Sequence, residues 1–263
     1  MMSNIFKPVS ILSPLGNFSL HFFVIAVLLA MFTGQTTLKA DQITTAPGFG
    51  PWQIGSGGEF TVTPDAAVFA QLGAYSPFTM NQGGYANSFQ TFCMERNEYI
   101  SPNTTFDVTF NNITVFTGDP LSAGVAYLYE QFATGQLNYN YANSPTYGGF
   151  PGTQTRSGGL FYSAYYLQNA FWYLMNPALY SGQANNPYVL QADAALGGPA
   201  TSFAPDNGAH GVSVLNLWAP GQPHDPQHAF QDVLIYTGVP EPTAFTLISL
   251  AAGIAFRRRK QHS

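Results

Sequence analysis

The sequence predicts an α+β fold, a β-strand framework interrupted by a helical section, and three observations carry that prediction. Short runs rich in β-branched and aromatic residues occur up to Phe116 and again from Gly211. Between them lie two segments whose apolar residues recur at steps of three and four, the spacing of a helix face. No internal repeat at a fixed period is evident, so a solenoid or propeller is not indicated.

From Asp41 to about Asn87 the chain is rich in Gly and Pro, with short β-prone pieces such as "EFTVTP" (Glu59 to Pro64), and reads as strands and turns. "SFQTFCME" and "TTFDVTFNNITVF" follow, with turn residues Ser101 to Asn103 between them, and are expected to pair as strands. "DPLSAGVAYLYEQFATG" then changes period. Asp119 and Pro120 make a cap and first-turn pair, Leu121, Val125, Leu128 and Phe132 form a stripe, and Gly135 ends it. A second helix is expected in "SGGLFYSAYYLQNAFWYLMNP", where Leu160, Ala164, Leu167, Phe171 and Leu174 share a face and Pro177 stops the run. A weaker helical piece, "YVLQADAAL", precedes the strand-like "GVSVLNLW" and "HAFQDVLIYTG".

At 263 residues the chain can bury a core of ordinary density. Only 8% of residues are charged, a composition common in secreted, loop-rich β proteins. The net charge of -5 hides an asymmetry, because Arg96 and Arg156 are the only basic residues from Asp41 to Gly238, counting Lys and Arg. The middle is acidic, which argues against nucleic acid as a partner.

Both ends read as targeting segments. "FFVIAVLLAMF" (Phe22 to Phe32) has the length and apolarity of a signal-peptide core, preceded by Lys7 and followed by polar residues up to Ala40, so residues 1–40 read as a leader. Residues 41–238 are the exported globular domain, and 239–263 form a tail reading "VPEPTAFTLISLAAGIAFRRRK" before its last residues. A helix of the 14 residues Thr243 to Phe256 is about 21 Å long, short of a hydrocarbon core of about 30 Å. Snorkelling arginines close part of that gap, and their position places the preceding domain on the non-cytoplasmic side of the membrane.

This tail resembles the PEP-CTERM sorting signal, matched by Pro240, Glu241 and Pro242, the apolar helix, and Arg257, Arg258 and Arg259. The resemblance implies an exosortase-type processing enzyme as a partner, anchoring by the C-terminal helix before processing, and delivery to the cell surface or extracellular matrix of a bacterium that makes extracellular polysaccharide. It addresses destination and leaves activity open.

Cys93 is the lone cysteine of the chain, so an internal disulfide is excluded. One reading is a buried thiol acting as a small hydrophobe between Phe92 and Met94. Gln168 is a second anomaly, a carboxamide on the flank of an apolar helix face that needs a partner if buried. Together, "FC" at Phe92 and Cys93 and "LQNAFW" at Leu167 to Trp172 resemble the two motifs of the bacterial Cys-Gln thioester domains. The resemblance implies Cys93 as the thioester sulfur, Gln168 as the acyl donor, and Phe92, Ala170 and Trp172 as its surroundings. Leu167 stands where that family has Thr, and Gln131 is the candidate for its additional glutamine. The implied role is an adhesin that reacts once with a partner surface, not an enzyme, and it needs no cofactor. The alternative is a structural or polysaccharide-binding matrix protein with a free thiol.

Other chemistry is weakly indicated. Glu95 and Glu98 read as a solvated turn balanced by Arg96. His224 and His228 have metal-ligand spacing, but Pro223 and Pro226 argue against the helix that spacing requires, and no metal site is predicted. "SGG" at Ser56 to Gly58 lacks the lysine of a phosphate-binding loop. The tyrosines and asparagines of Leu137 to Phe150 suggest a sugar-binding surface.

Overall fold

The computed structural model describes residues 40–50, 57–139, 141 and 162–238. The leader, the sorting tail with Pro240, Glu241, Pro242 and Arg257 to Arg259, and most of the tyrosine-rich segment lie outside the described residues.

The fold is α+β. Among the described residues there are six strands: β1 Gln42–Thr45, β2 Phe60–Pro64, β3 Phe89–Thr91, β4 Thr105–Asn111, β5 Val212–Trp218 and β6 Ala229–Tyr236. They form one antiparallel sheet in the order β3-β2-β1-β4-β5-β6. The expected pairing of the runs around Cys93 and Phe106 is therefore corrected. β1 supplies the partner for β4, with Ile43 opposite Phe106, and β2 takes β3, with Phe60 opposite Thr91. Two neighbouring strand-like runs suggest a hairpin, but earlier segments of the chain occupy the hydrogen-bonding edges that face each other.

The sheet curls until its edges meet. Cys93 bridges Val233, the Met94 amide donates to the Asp232 carbonyl at 2.9 Å, and Thr91 Oγ1 donates to the Leu234 carbonyl at 2.6 Å while accepting from the Leu234 amide at 3.0 Å. Tyr129 seals the same seam from the helical side, its hydroxyl lying 2.9 Å from the Gln90 carbonyl and 3.1 Å from that of Leu234. Edge groups that would otherwise need solvent are thereby satisfied.

Side chains alternate across the sheet as a period of two requires. Ile43, Val62, Phe89, Phe106, Val108, Leu215, Leu217, Val233 and Ile235 pack together on one face. The other face offers Val212, Val214, Leu234 and Tyr236 to the helices.

Those helices are α1 Ala66–Phe69, α2 Ala123–Ala133, α3 Tyr162–Met175, α4 Pro187–Leu196 and α5 Pro199–Ser202. The described residues of the predicted stripes are buried, Leu121, Val125, Leu128 and Phe132, then Ala164, Leu167, Phe171 and Leu174 all belonging to one core, while Leu160 lies outside the described residues. The start of α2 differs from expectation. Ser122 caps it by accepting from the Val125 amide at 3.3 Å, and Asp119 and Pro120 belong to the preceding loop, where the Asp119 carbonyl accepts from Thr114 N–H at 3.0 Å. The end falls where the glycine places it, since Gly135 adopts φ 75° beside Ser76. No helix among the described residues is long and apolar enough to cross a membrane.

Candidate functional site

Two stripes on α3 serve different neighbours. Ala164, Leu167, Ala170, Phe171 and Leu174 pack into the helical core, while Gln168 and Trp172, one turn apart, face the end of β3. There the chain alternates too. Phe92 enters the helical core, its ring at 5.1 Å from Phe132 and 5.2 Å from Phe171, whereas Cys93 joins Phe60 and Trp172 in a separate small cluster.

This alternation brings Cys93 and Gln168 together. The Gln168 Oε1 atom accepts from the Cys93 amide at 3.1 Å and from the Gly58 amide at 2.8 Å, and its Nε2 donates to the Cys93 carbonyl at 2.8 Å. Both residues are buried. The two N–H donors fix the orientation of the carboxamide, because a flipped group would set NH2 against NH. Gly58 also faces the thiol. Burial pushes the Cys93 thiol far above its ordinary range, and the Gly58 amide pulls it only part of the way back.

The glycines are there for space. A Cβ on Gly57 would lie 2.6 Å from Gln168 Cγ and 3.2 Å from Trp172 Cη2, and one on Gly58 would lie 2.8 Å from Phe92 Cα and 2.9 Å from the Thr91 carbonyl oxygen. Any larger residue forces the 57–58 segment away from the carboxamide. Next to it, the fully buried Glu59 accepts a 2.5 Å hydrogen bond from Tyr139.

Compared with protein-family models, curated proteins and solved structures, the chain has no significant match. The site is thus read from its own geometry and from the motif resemblance alone.

Trp172 covers the outer side. Its indole stacks on Tyr180 at 6.1 Å, and the Arg96 guanidinium lies over both rings, 5.8 Å from the first centroid and 6.0 Å from the second. Arg96 therefore meets rings instead of balancing the neighbouring carboxylates. Glu95 also departs from the expected solvated turn. It is buried, and its Oε1 accepts from the Thr117 amide at 2.9 Å and from Thr117 Oγ1 at 3.0 Å, anchoring the loop before α2. Glu98 is half-buried, and its carboxyl is shifted upward by partial burial and by Glu95.

The remaining sequence candidates sit elsewhere. His228 Nδ1 bonds Asp225 Oδ1 at 2.8 Å and the His224 ring stacks on Trp218 at 5.0 Å, so the two histidines serve different partners. Among the described residues no group of three His, Cys, Asp or Glu is arranged to hold a metal. Gln131 stays on α2, where its carbonyl accepts from the Gln136 and Leu137 amides. Tyr139 and Tyr141, expected on a sugar-binding surface, are buried in the helical core, and the rest of that segment lies outside the described residues. What the sequence reading lacked was the Gly57-Gly58 cradle and the Arg96-Trp172-Tyr180 cover. The signal for the cradle was present in "GGEF", two glycines immediately before a strand.

Proposed function

We propose that the chain is an exported surface or extracellular-matrix adhesin in which Cys93 and Gln168 form an internal thioester. The observation that carries the reading is the two-donor cradle around Gln168 Oε1, one donor being the peptide of Cys93 itself. In the bond-forming step the Cys93 sulfur adds to Gln168 Cδ, the oxygen takes up negative charge between the Gly58 and Cys93 amides, and the C–N bond breaks with loss of ammonia. A partner nucleophile such as an amine then adds to the same carbon, the C–S bond breaks, and the thiol is regenerated. The proton leaves the nucleophile and returns to sulfur, so the protein is spent after one transfer.

Burial explains dormancy. A thiol whose ionisation is strongly disfavoured is a poor leaving group while the site stays dry, and entry of a partner past Trp172 changes both conditions. Export and exosortase-type processing at the tail complete the reading, supported by Pro240 to Pro242 and Arg257 to Arg259. The proposed surroundings are the cell envelope or extracellular polysaccharide. A non-covalent matrix protein with a buried free thiol is favoured by one fact, namely that the intact carboxamide of Gln168 is already held at both ends, its oxygen accepting from the Gly58 and Cys93 amides and its nitrogen donating to the Cys93 carbonyl.

Methylamine distinguishes the two. On the covalent reading it labels Gln168 and frees one titratable thiol, and a Cys93→Ala chain takes no label. Absence of label on Gln168 in the unfolded and folded wild-type chain alike contradicts it.

A further inference from the structure

The chain leaves the described domain at Gly238, and close contacts fix what surrounds that exit. Gly73 N–H donates to the Tyr236 carbonyl at 2.9 Å, and the Tyr236 amide donates to the Tyr75 hydroxyl at 2.8 Å. A Cβ on Gly73 would lie 2.6 Å from the Gly238 nitrogen, so the two backbones meet with no room for a side chain. Residues 66–78, which are α1 and the turn after it, are thereby locked against the end of β6.

That segment carries no charge, for residues 66–78 include no Asp, Glu, Lys or Arg. Val68 belongs to the sheet core and Leu72 packs against it, while Phe69 and Phe78 stay 40% and 39% exposed. Ala67, Ala70 and Ala74 are exposed as well, and Gln71 is the one exposed polar side chain of the run. The surface beside the exit is thus apolar and uncharged.

The tail sets how far this surface can stand from a membrane. Four residues, 239–242, separate Gly238 from the apolar run that begins at Thr243. Fully extended, the five steps to Thr243 reach at most about 18 Å, of which a headgroup layer takes about 5–8 Å. Gly238 is then held within about 13 Å of the headgroups, roughly a third of the ~40 Å width of a domain of about 200 residues.

We propose that the uncharged surface of residues 66–78 rests on the lipid headgroups while the tail anchors the chain, with Phe69 and Phe78 entering the interface. The short tether supplies a high effective concentration, so a patch too small to bind lipid unaided is held there until processing removes the anchor. Anionic headgroups repel acidic surfaces, and this one presents no charge to them. The inference rests on the sorting-tail reading and not on the thioester.

The test reconstitutes the full chain in vesicles of phosphatidylcholine and phosphatidylglycerol, at most one chain per vesicle, with a fluorophore on Gln71→Cys or, for reference, on Gln222→Cys. Cys93 is buried, so labelling of the folded chain falls on the introduced thiol. Gln222 is exposed and follows the far end of β5, whose first residue, Val212, pairs with Tyr236 beside the exit, which sets it about 20 Å away. Lipid carrying a nitroxide on its headgroup quenches the Gln71 probe several-fold more than the Gln222 probe. Adding Ala67→Glu and Ala70→Glu removes that excess, and because both side chains are exposed the unfolding temperature holds. Equal quenching of the two probes in a chain that sediments with the vesicles overturns this proposal alone, as does an excess that survives the two glutamates. An excess seen only with several chains per vesicle assigns the surface to a second copy and also overturns it. A chain that does not sediment with the vesicles overturns the sorting-tail reading and this proposal with it.

Discussion

Replacing Gly58 by Ala separates a cradle built for the Gln168 carbonyl from a loop that merely passes it. The added Cβ meets backbone, Phe92 Cα at 2.8 Å and the Thr91 carbonyl oxygen at 2.9 Å, so no side chain can swing aside. Restoring contact distances of about 3.4 Å moves the 57–58 segment by roughly half an ångström. The 2.8 Å bond from Gly58 to Gln168 Oε1 then stretches beyond the range of about 2.7–3.2 Å for a good hydrogen bond. Overpacking of this kind costs about 1–3 kcal/mol, which for a domain of this size lowers the unfolding temperature by roughly 2–12 °C. Loss of one of two oxyanion donors slows acyl chemistry by about 10²–10³-fold. Thermal unfolding reads the first effect, and the time course of ammonia loss after refolding reads the second. A Gly58→Ala chain with wild-type unfolding temperature and wild-type thioester yield and rate refutes the cradle.

Other outcomes follow from the same geometry. Tyr129→Phe removes the hydroxyl that closes the sheet seam against Gln90 and Leu234, and lowers stability by about 1–3 kcal/mol in denaturant titration. Burial pushes the Asp232 carboxyl up from 3.8 to about 7, opposed by the Val115 amide and aided by Glu95. The folded chain therefore holds a proton that the unfolded chain has lost, so this group's contribution to stability falls as pH rises from about 4 to about 7 and is level above. Asp232→Asn, which can keep the bond from Val115 N–H, flattens that slope in unfolding measured across pH, with a gain at pH 8 bounded at about 4 kcal/mol. Arg96→Ala leaves the unfolding temperature within about 2–4 °C, since a surface cation over a ring contributes about 0.5–1 kcal/mol, but speeds methylamine reaction by loosening Trp172.

Much of the helical section was legible because a helix writes its buried face locally. Leu167, Phe171 and Leu174 fall at steps of four and three, and Pro177 marks the stop, so both the helix and its inward face can be read without knowing what they face. Strand pairing carries no such local mark. The runs around Cys93 and Phe106 each look like strands, but which edges they occupy depends on β1 and β2, more than 40 residues before Cys93 in the case of β1. The site divides the same way. Cys93 and Gln168 stood out as a lone thiol and a misplaced carboxamide, and the motif resemblance joined them. Gly57 and Gly58 carry no such mark in the sequence, because only the fold reveals that their missing side chains make room for Gln168 and Phe92. Glu95 looked solvated beside Arg96, and its burial follows from the Thr117 loop folding over it, a contact across 22 residues.

The intact mass of the freshly purified wild-type chain, measured beside Cys93→Ala and Gln168→Ala without any added nucleophile, decides the central proposal. A wild-type mass short by one ammonia, with both variants at their full calculated masses, is the expected result. A wild-type chain at full mass whose single thiol titrates as free after unfolding contradicts the thioester, and leaves Gln168 as a buried clamp between α3 and the end of β3.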